Sequence, residues 1–250
     1  MLRSIISPSI ICLTSISFLF PITSPVNANS LSFHKSSVKS FTIAQNTTTP
    51  RLRFRLPDRG IPGARQGGAT RSTSPKIVPI IPSEKLALTA TDSPTIFVYI
   101  AKNDSTKASL TITDENKKQL YQTEFTLPQQ EGIFRIKLPA NLKIEAQQPY
   151  RWELKLLSPE NPSASLKLKT SGWVEKVSPP QNLVTKDKWE NLNQLAEAGL
   201  WYDTLNELAT LRLENPQNAE VETEWVELLK SVGLEYIAKN DIYSNVIILN

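Results

Sequence analysis

The chain has 250 residues, a net charge of +4 at neutral pH, one cysteine and one histidine. That inventory excludes an intrachain disulfide framework and a Cys/His metal cluster, and it leaves few ways to build thiolate or imidazole chemistry. The charge is segregated: residues 51–76 carry seven basic and one acidic side chain, whereas residues 187–240 carry four basic and eleven acidic ones.

Met1–Leu2–Arg3 makes a short positive start, Ile10 to Phe20 is mostly apolar, and Pro21 breaks the run. Val26–Asn27–Ala28 then places small residues before a cut at Asn29, so residues 1–28 are expected to be a secretory signal peptide. The apolar run is too short to cross a hydrocarbon core of ~30 Å. The expected compartment is therefore outside the cytoplasm, periplasmic or extracellular, with no transmembrane segment after signal removal. Cys12 lies early in the apolar run and is not placed as a lipid-attachment cysteine.

Residues 29–82 are expected to form a disordered, Arg/Gly/Pro-rich arm. Asn29 to Thr49 is rich in Ser, Thr and Asn without a period, and His34 falls there, where nothing fixes its geometry for catalysis. Ile43–Ala44–Gln45 has the look of a second processing site but lies too far from the apolar run for the same peptidase. From Arg51 the guanidinium residues Arg51, Arg53 and Arg55 alternate with Leu52, Phe54 and Leu56. An extended chain would separate them into a cationic and an apolar face. Pro57, Gly60, Pro62, Gly63, Gly67 and Gly68 then break regular structure, with Arg59, Arg65 and Arg71 spread between them. Arg51, Arg53, Arg55, Arg59, Arg65 and Arg71 are thus the candidate anion- or partner-binding set, because planar guanidinium forks suit carboxylate, phosphate or sulfate. A plain soluble linker is the alternative. An export signal argues against nucleic acid as the partner, and favours an envelope protein or an acidic glycan.

Residues 83–180 predict a β-sandwich. Seven apolar, branched or aromatic runs recur between turn signals: Leu86–Thr89, Thr95–Ala101, Ala108–Thr113, Gln119–Leu127, Ile133–Leu138, Tyr150–Leu157 and Leu166–Val177. Asp114–Glu115 sits on a hairpin tip, where adjacent carboxylates diverge into water. The run from Ile144 to Tyr150 resembles the approach to the sixth strand of fibronectin type III modules. That resemblance implies a structural Tyr150 whose hydroxyl bonds back to the backbone. Trp152 and Trp173 are expected in the core; exposed, they would instead be able to stack a sugar ring.

Residues 187–240 switch to helical spacing. Asp187 followed by Glu190 is a capping-box-like start. Trp189, Leu192, Leu195 and Ala196 follow on one helix, Trp201, Leu205, Leu208 and Arg212 on a second, and Val221, Trp225, Leu228, Leu229 and Val232 on a third. Gly199 and Gly233 are 34 residues apart, and the same shift matches Leu195 to Leu229, Leu200 to Leu234 and Tyr202 to Tyr236. The unit resembles one and a half tetratricopeptide repeats, too few for a solenoid groove. Thr204 stands at the small-residue position of the second helix, where a looser helix contact is expected, and residues 241–250 are read as a tail.

The segments Pro57 to Arg65 with Gly67 to Arg71, Ala198 to Asp203, Glu224 to Leu229 and Ser231 to Leu234 together resemble the exported cyanobacterial proteins of "domain of unknown function 928". The resemblance implies an exported compartment and a domain order, and no mechanism. The fold expected is mainly β plus α: an immunoglobulin/fibronectin-like sandwich followed by a small tetratricopeptide-like helical unit, with a disordered N-terminal arm. No phosphate loop, His-Glu-x-x-His or Gly-x-Ser-x-Gly motif occurs. No catalytic, cofactor or metal residue is assigned, and the protein is not expected to be an enzyme. The leading expectation is a non-catalytic interaction or assembly protein of the cell envelope. A glycan- or cell-wall-binding module is the alternative, and a Ser-Lys hydrolase a minor one. A basic arm and an acidic helical unit on one chain also allow a homo-oligomer.

Overall fold

The computed structural model describes residues 51–62, 77–142, 144–157, 168–179 and 187–249. The expected signal peptide with Cys12, the Ser/Thr/Asn-rich stretch with His34, and Arg65 and Arg71 lie outside the described residues. Among the described residues nine strands and three α-helices follow in order. The strands are β1 (Ile77–Pro79), β2 (Ala87–Thr89), β3 (Thr95–Ile100), β4 (Lys107–Asp114), β5 (Gln119–Thr126), β6 (Gly132–Lys137), β7 (Pro149–Leu157), β8 (Lys169–Lys176) and, after the helices, β9 (Ile242–Ile248). The helices are α1 (Lys188–Glu197), α2 (Trp201–Glu214) and α3 (Ala219–Lys230).

Two sheets result, one ordered β1-β3-β6-β9 and the other β2-β8-β7-β4-β5. All seven expected strands are present, with ends shifted by a few residues. β7 alternates as its sequence demands: Tyr150, Trp152, Leu154 and Leu156 are buried, and Arg151 is exposed. β3 does not alternate; five of its six residues are buried, because α2 packs across β2, β3 and β9 and covers the outer side of that sheet. A strand covered on both faces reads as a continuous apolar run, and Thr-Ile-Phe-Val-Tyr-Ile is one.

Two strands correct the expected boundaries. β1 belongs to the stretch assigned to the arm; it is a short edge strand antiparallel to β3, where Pro79 costs no inner ladder bond. β9 replaces the expected tail. It runs parallel to β6, with Arg135 opposite Val246 and Ile136 opposite Ile247, and a register shift between Ile133 and Arg135. Tyr243 stacks on Phe134 at 5.6 Å, and Ile242 and Leu249 are buried.

Asp187 caps α1, its Oδ1 accepting from the amides of Trp189 (2.8 Å) and Glu190 (3.2 Å). Both expected turn glycines end helices in the left-handed region, Gly199 at φ +71° and Gly233 at φ +75°. Each is wrapped by the same bond pair. Leu200 N–H donates to Leu195 O and Gly199 N–H to Ala196 O; 34 residues on, Leu234 N–H donates to Leu229 O and Gly233 N–H to Lys230 O. The likeness ends there: Tyr202 is buried in α2, whereas Tyr236 is 57% exposed in a short 3-10 turn. Thr204 is fully buried.

Among the described residues, the stretches expected as a sandwich at 83–180 and a helical unit at 187–240 share one hydrophobic cluster, which runs from Ile96 and Trp152 of the sheets to Trp201 and Trp225 of the helices. Each part alone has an apolar face that the other buries.

Candidate functional site

Residues 51–62 form an extended strap bound along the helices and the sandwich. This corrects the expected disorder for that part of the arm. Arg51, Arg53 and Arg55 are exposed while Leu52 and Phe54 are half-buried, the two-faced pattern that period-2 alternation dictates. Phe54 meets Trp201 edge-on at 5.0 Å. Leu52 N–H donates to Glu224 Oε2 at 3.1 Å, and Arg55 N–H to Ala196 O at 3.0 Å. The strap passes so close to the α1–α2 turn that a Cβ on Gly199 would lie 2.6 Å from Arg55 O. Gly199 is therefore required both for its φ and for that approach.

Farther along, Lys85 Nζ bonds Asp58 at 3.2 Å, Leu86 N–H donates to Arg59 O, and Gly60 forms a β-bridge with Lys85. Arg59 pairs with Glu175 of β8, whose side chain is 1% exposed. Arg59 is thus spent on a fold contact. Among the described residues, Arg51, Arg53 and Arg55 form no ion pair. The expected set of six therefore separates into a displayed row of three, one structural member and two outside the described residues.

Burial pushes the Glu175 carboxyl above its ordinary range, and the charge and hydrogen bond of Arg59 pull it part of the way back. Its Oε2 has no hydrogen-bond partner among the described residues. Arg59→Gln should cost roughly 2–3 kcal/mol at neutral pH, less than a fully buried pair because Arg59 is half-exposed. With the guanidinium gone, the folded-state pKa rises further above the unfolded value. Stability lost by the ionised carboxyl is recovered as pH falls through that raised pKa towards the unfolded one. Urea titrations at neutral pH and near pH 5 check this: the deficit should shrink on acidification, and a deficit that grows would contradict it.

The junction of helices and sheets is aromatic. Trp201 Nε1 donates to Ile80 O at 2.9 Å, Trp152 Nε1 donates to the Tyr202 hydroxyl at 2.8 Å, and that hydroxyl donates to Trp173 O at 2.9 Å. Asp203 accepts from Ala90 N–H at 3.0 Å, and burial raises its pKa. Trp152 is fully buried, as expected, whereas Trp173, also expected in the core, is half-buried. Tyr150 makes the expected bond to the backbone, its hydroxyl accepting from Glu145 N–H at 3.2 Å.

A cleft of about 720 Å³ opens where strap, sheets and helices meet. Its wall carries Trp173, Lys85, Lys117, Arg151 and Ser171, closed by Ile61–Pro62 of the strap and by Val232 and Leu234 after α3. No carboxylate lines it among the described residues. Sequence reasoning missed this constellation. Trp173 is singled out by the sequence, but its meeting with Arg151, Lys85 and Lys117 comes from strand pairing: Arg151 lies opposite both Thr113 and Trp173. A second groove, between the strap and α1, carries Arg51, Arg53, Trp189 and Glu190. Among the described residues no group of His, Cys, Asp and Glu is arranged to hold a metal ion, and no helix is long and apolar enough to cross a membrane.

The segments that carry the family resemblance meet the strap or one cleft: Gly199 lies against Arg55 and Pro57, Trp201 against Phe54, Glu224 on Leu52, and Ile61 and Val232 line one cleft. Comparison with curated proteins gives no match. The model of the family described as Domain of Unknown Function (DUF928) matches residues 61–242, most of the chain, and the protein belongs to that family.

Proposed function

We propose that this protein is an exported, non-catalytic interaction protein of the cell envelope that holds its partner through the row Arg51, Arg53 and Arg55. The observation that carries this reading is the way the strap is held. Its apolar edge and two backbone amides are bound to the helices, so three guanidinium groups stand on the opposite edge at a spacing of roughly 6.6–6.8 Å. A cation row on a held backbone loses little conformational entropy when it meets an anionic surface. The acidic residues of the helical part supply such a surface on a second copy, and an acidic envelope protein supplies another. The export reading rests on the residue pattern of positions 1–28, and the non-catalytic reading on the lack of reactive side chains and motifs.

The same proposal takes the sheets as immunoglobulin-like. β1, β3 and β6 stand for strands A, B and E, facing β5, β4, β7 and β8 as C′, C, F and G. The helices are taken as a diverged tetratricopeptide hairpin, supported by the repeated glycine turn.

The test is the triple variant Arg51→Gln, Arg53→Gln, Arg55→Gln with Arg59 kept. Its stability should stay within about 0.5 kcal/mol of the parent, as for exposed sites. Retention of proteins from an envelope extract, and self-association seen by sedimentation, should be lost together or singly according to the partner. Unchanged retention and unchanged sedimentation would remove the row from the interface.

A further inference from the structure

We infer that the cleft around Trp173 is a binding site for an acidic sugar, one carrying a carboxylate or sulfate on its ring. It would be a second binding site, separate from the arginine row, and stands whether or not that row holds a partner.

Three observations converge. The volume, about 720 Å³, falls within the ~300–1,000 Å³ of small-ligand sites and is concave, unlike the broad face a folded partner needs. The charges have one sign: Lys85, Lys117 and Arg151 line the cleft. Among the described residues Lys85 is paired only with fully exposed Asp58 at 3.2 Å, and Arg151 reaches Glu153 at 3.8 Å. Such exposed pairs exchange readily for a ligand anion, because they are worth little in water. Third, the half-buried Trp173 side chain offers an indole beside those cations, and Arg151 Nη2 is steered by a 3.0 Å bond to Ser171 Oγ. An indole receives the apolar face of a pyranose, hydroxyls such as Ser171 and Ser83 meet its rim, and a guanidinium meets its acid. A simple anion would use the cations and ignore the indole; a neutral sugar would do the reverse.

The wall is also fixed in place. Trp173 is bonded through its carbonyl to Tyr202, and Gly172 beside it has no room for a side chain, since a Cβ would lie 2.6 Å from the Trp152 ring. A ligand would therefore meet a preformed surface.

The experiment is calorimetric titration of the full chain with oligogalacturonate, with a sulfated dextran oligomer, and with two controls: the methyl-esterified galacturonate and inorganic polyphosphate. Saturable binding of either acidic sugar is expected, weakened at least tenfold in Trp173→Ala and in Arg151→Gln, and weakened similarly by esterification. Lys117→Gln, on an exposed hairpin tip, gives a charge-only variant that leaves the fold untouched and should weaken binding severalfold. The triple arginine-row variant should bind the sugar as the parent does. Failure of both acidic sugars to bind the folded parent overturns the inference. So does equal binding by parent and a folded Trp173→Ala variant, or polyphosphate binding as tight as the sugar's, since both mean a charge patch without ring recognition.

Discussion

Trp201→Ala should destabilise the whole protein by about 3–5 kcal/mol, the range for truncating a fully buried large aromatic. Trp201 is 0% exposed, its Nε1–H is bonded to Ile80 O, and its ring receives the edge of Phe54. The substitution therefore opens a cavity, leaves the Ile80 carbonyl without its donor and releases the strap. The loss should be felt everywhere, because sheets and helices share one core. Urea unfolding followed by tryptophan fluorescence and by far-ultraviolet circular dichroism should give coincident transitions in parent and variant, both displaced equally. Two separated transitions in the parent would show that sandwich and helices are independent domains. A loss below 1 kcal/mol would show that the Trp201 pocket is not packed.

Ending the chain after Asn240 should have an effect of similar or greater size, about 4–6 kcal/mol, which is close to half the stability of an ordinary domain. The residues removed include the strand Ile242–Ile248 and are not a mere tail. Ile242 and Leu249 lose their burial, Phe134 loses the stacked ring of Tyr243, and Arg135 loses the Ser244 carbonyl that its Nη2 donates to. Arg135 is 7% exposed, its Nε has no hydrogen-bond partner among the described residues, and burial already depresses its pKa. Without β9 it would be left unsatisfied, and β6 would become an open edge able to pair with other chains. Differential scanning calorimetry and light scattering of the truncated protein check this. An unchanged melting temperature with no aggregation would return residues 241–250 to the status of a tail.

These outcomes follow from elements of unequal legibility. The seven middle strands were readable because each is bounded by turn residues and most have a wet face. β7 shows it best, with Tyr150, Trp152, Leu154 and Leu156 inward. The helices were readable from spacing and punctuation: Asp187 caps α1, and Gly199 and Gly233 close the turns 34 residues apart. β9 was not. Ile-Tyr-Ser-Asn-Val-Ile-Ile has no clean alternation, and its pairing partner lies more than a hundred residues earlier. β1 was hidden by Pro79, which local reasoning counts against a strand and an edge position tolerates.

The strap shows the same limit. Its alternation already separated Arg51, Arg53 and Arg55 from Leu52 and Phe54, because an extended backbone has period 2 whatever it lies against. Whether that extended chain is free or bound depended on something no local pattern holds: the Trp201 ring of α2, the Ala196 carbonyl of α1 and the Glu224 carboxyl of α3, with a glycine at position 199 that lets the backbone approach. The same holds for the cleft. The chain order separates Lys85, Lys117, Arg151 and Trp173, and only strand pairing and the docking of the helices bring them to one wall. Charge, periodicity and turn chemistry are properties of neighbours along the chain, so the sequence by itself determined the elements, the two-faced strap and the poverty of reactive groups. Contacts between distant segments depend on which apolar faces bury one another. The tertiary structure alone therefore decided that the described parts of strap, sheets and helices share one core, that Arg59 is a structural member while three other arginines are displayed, and that Lys85, Lys117, Arg151 and Trp173 line one cleft.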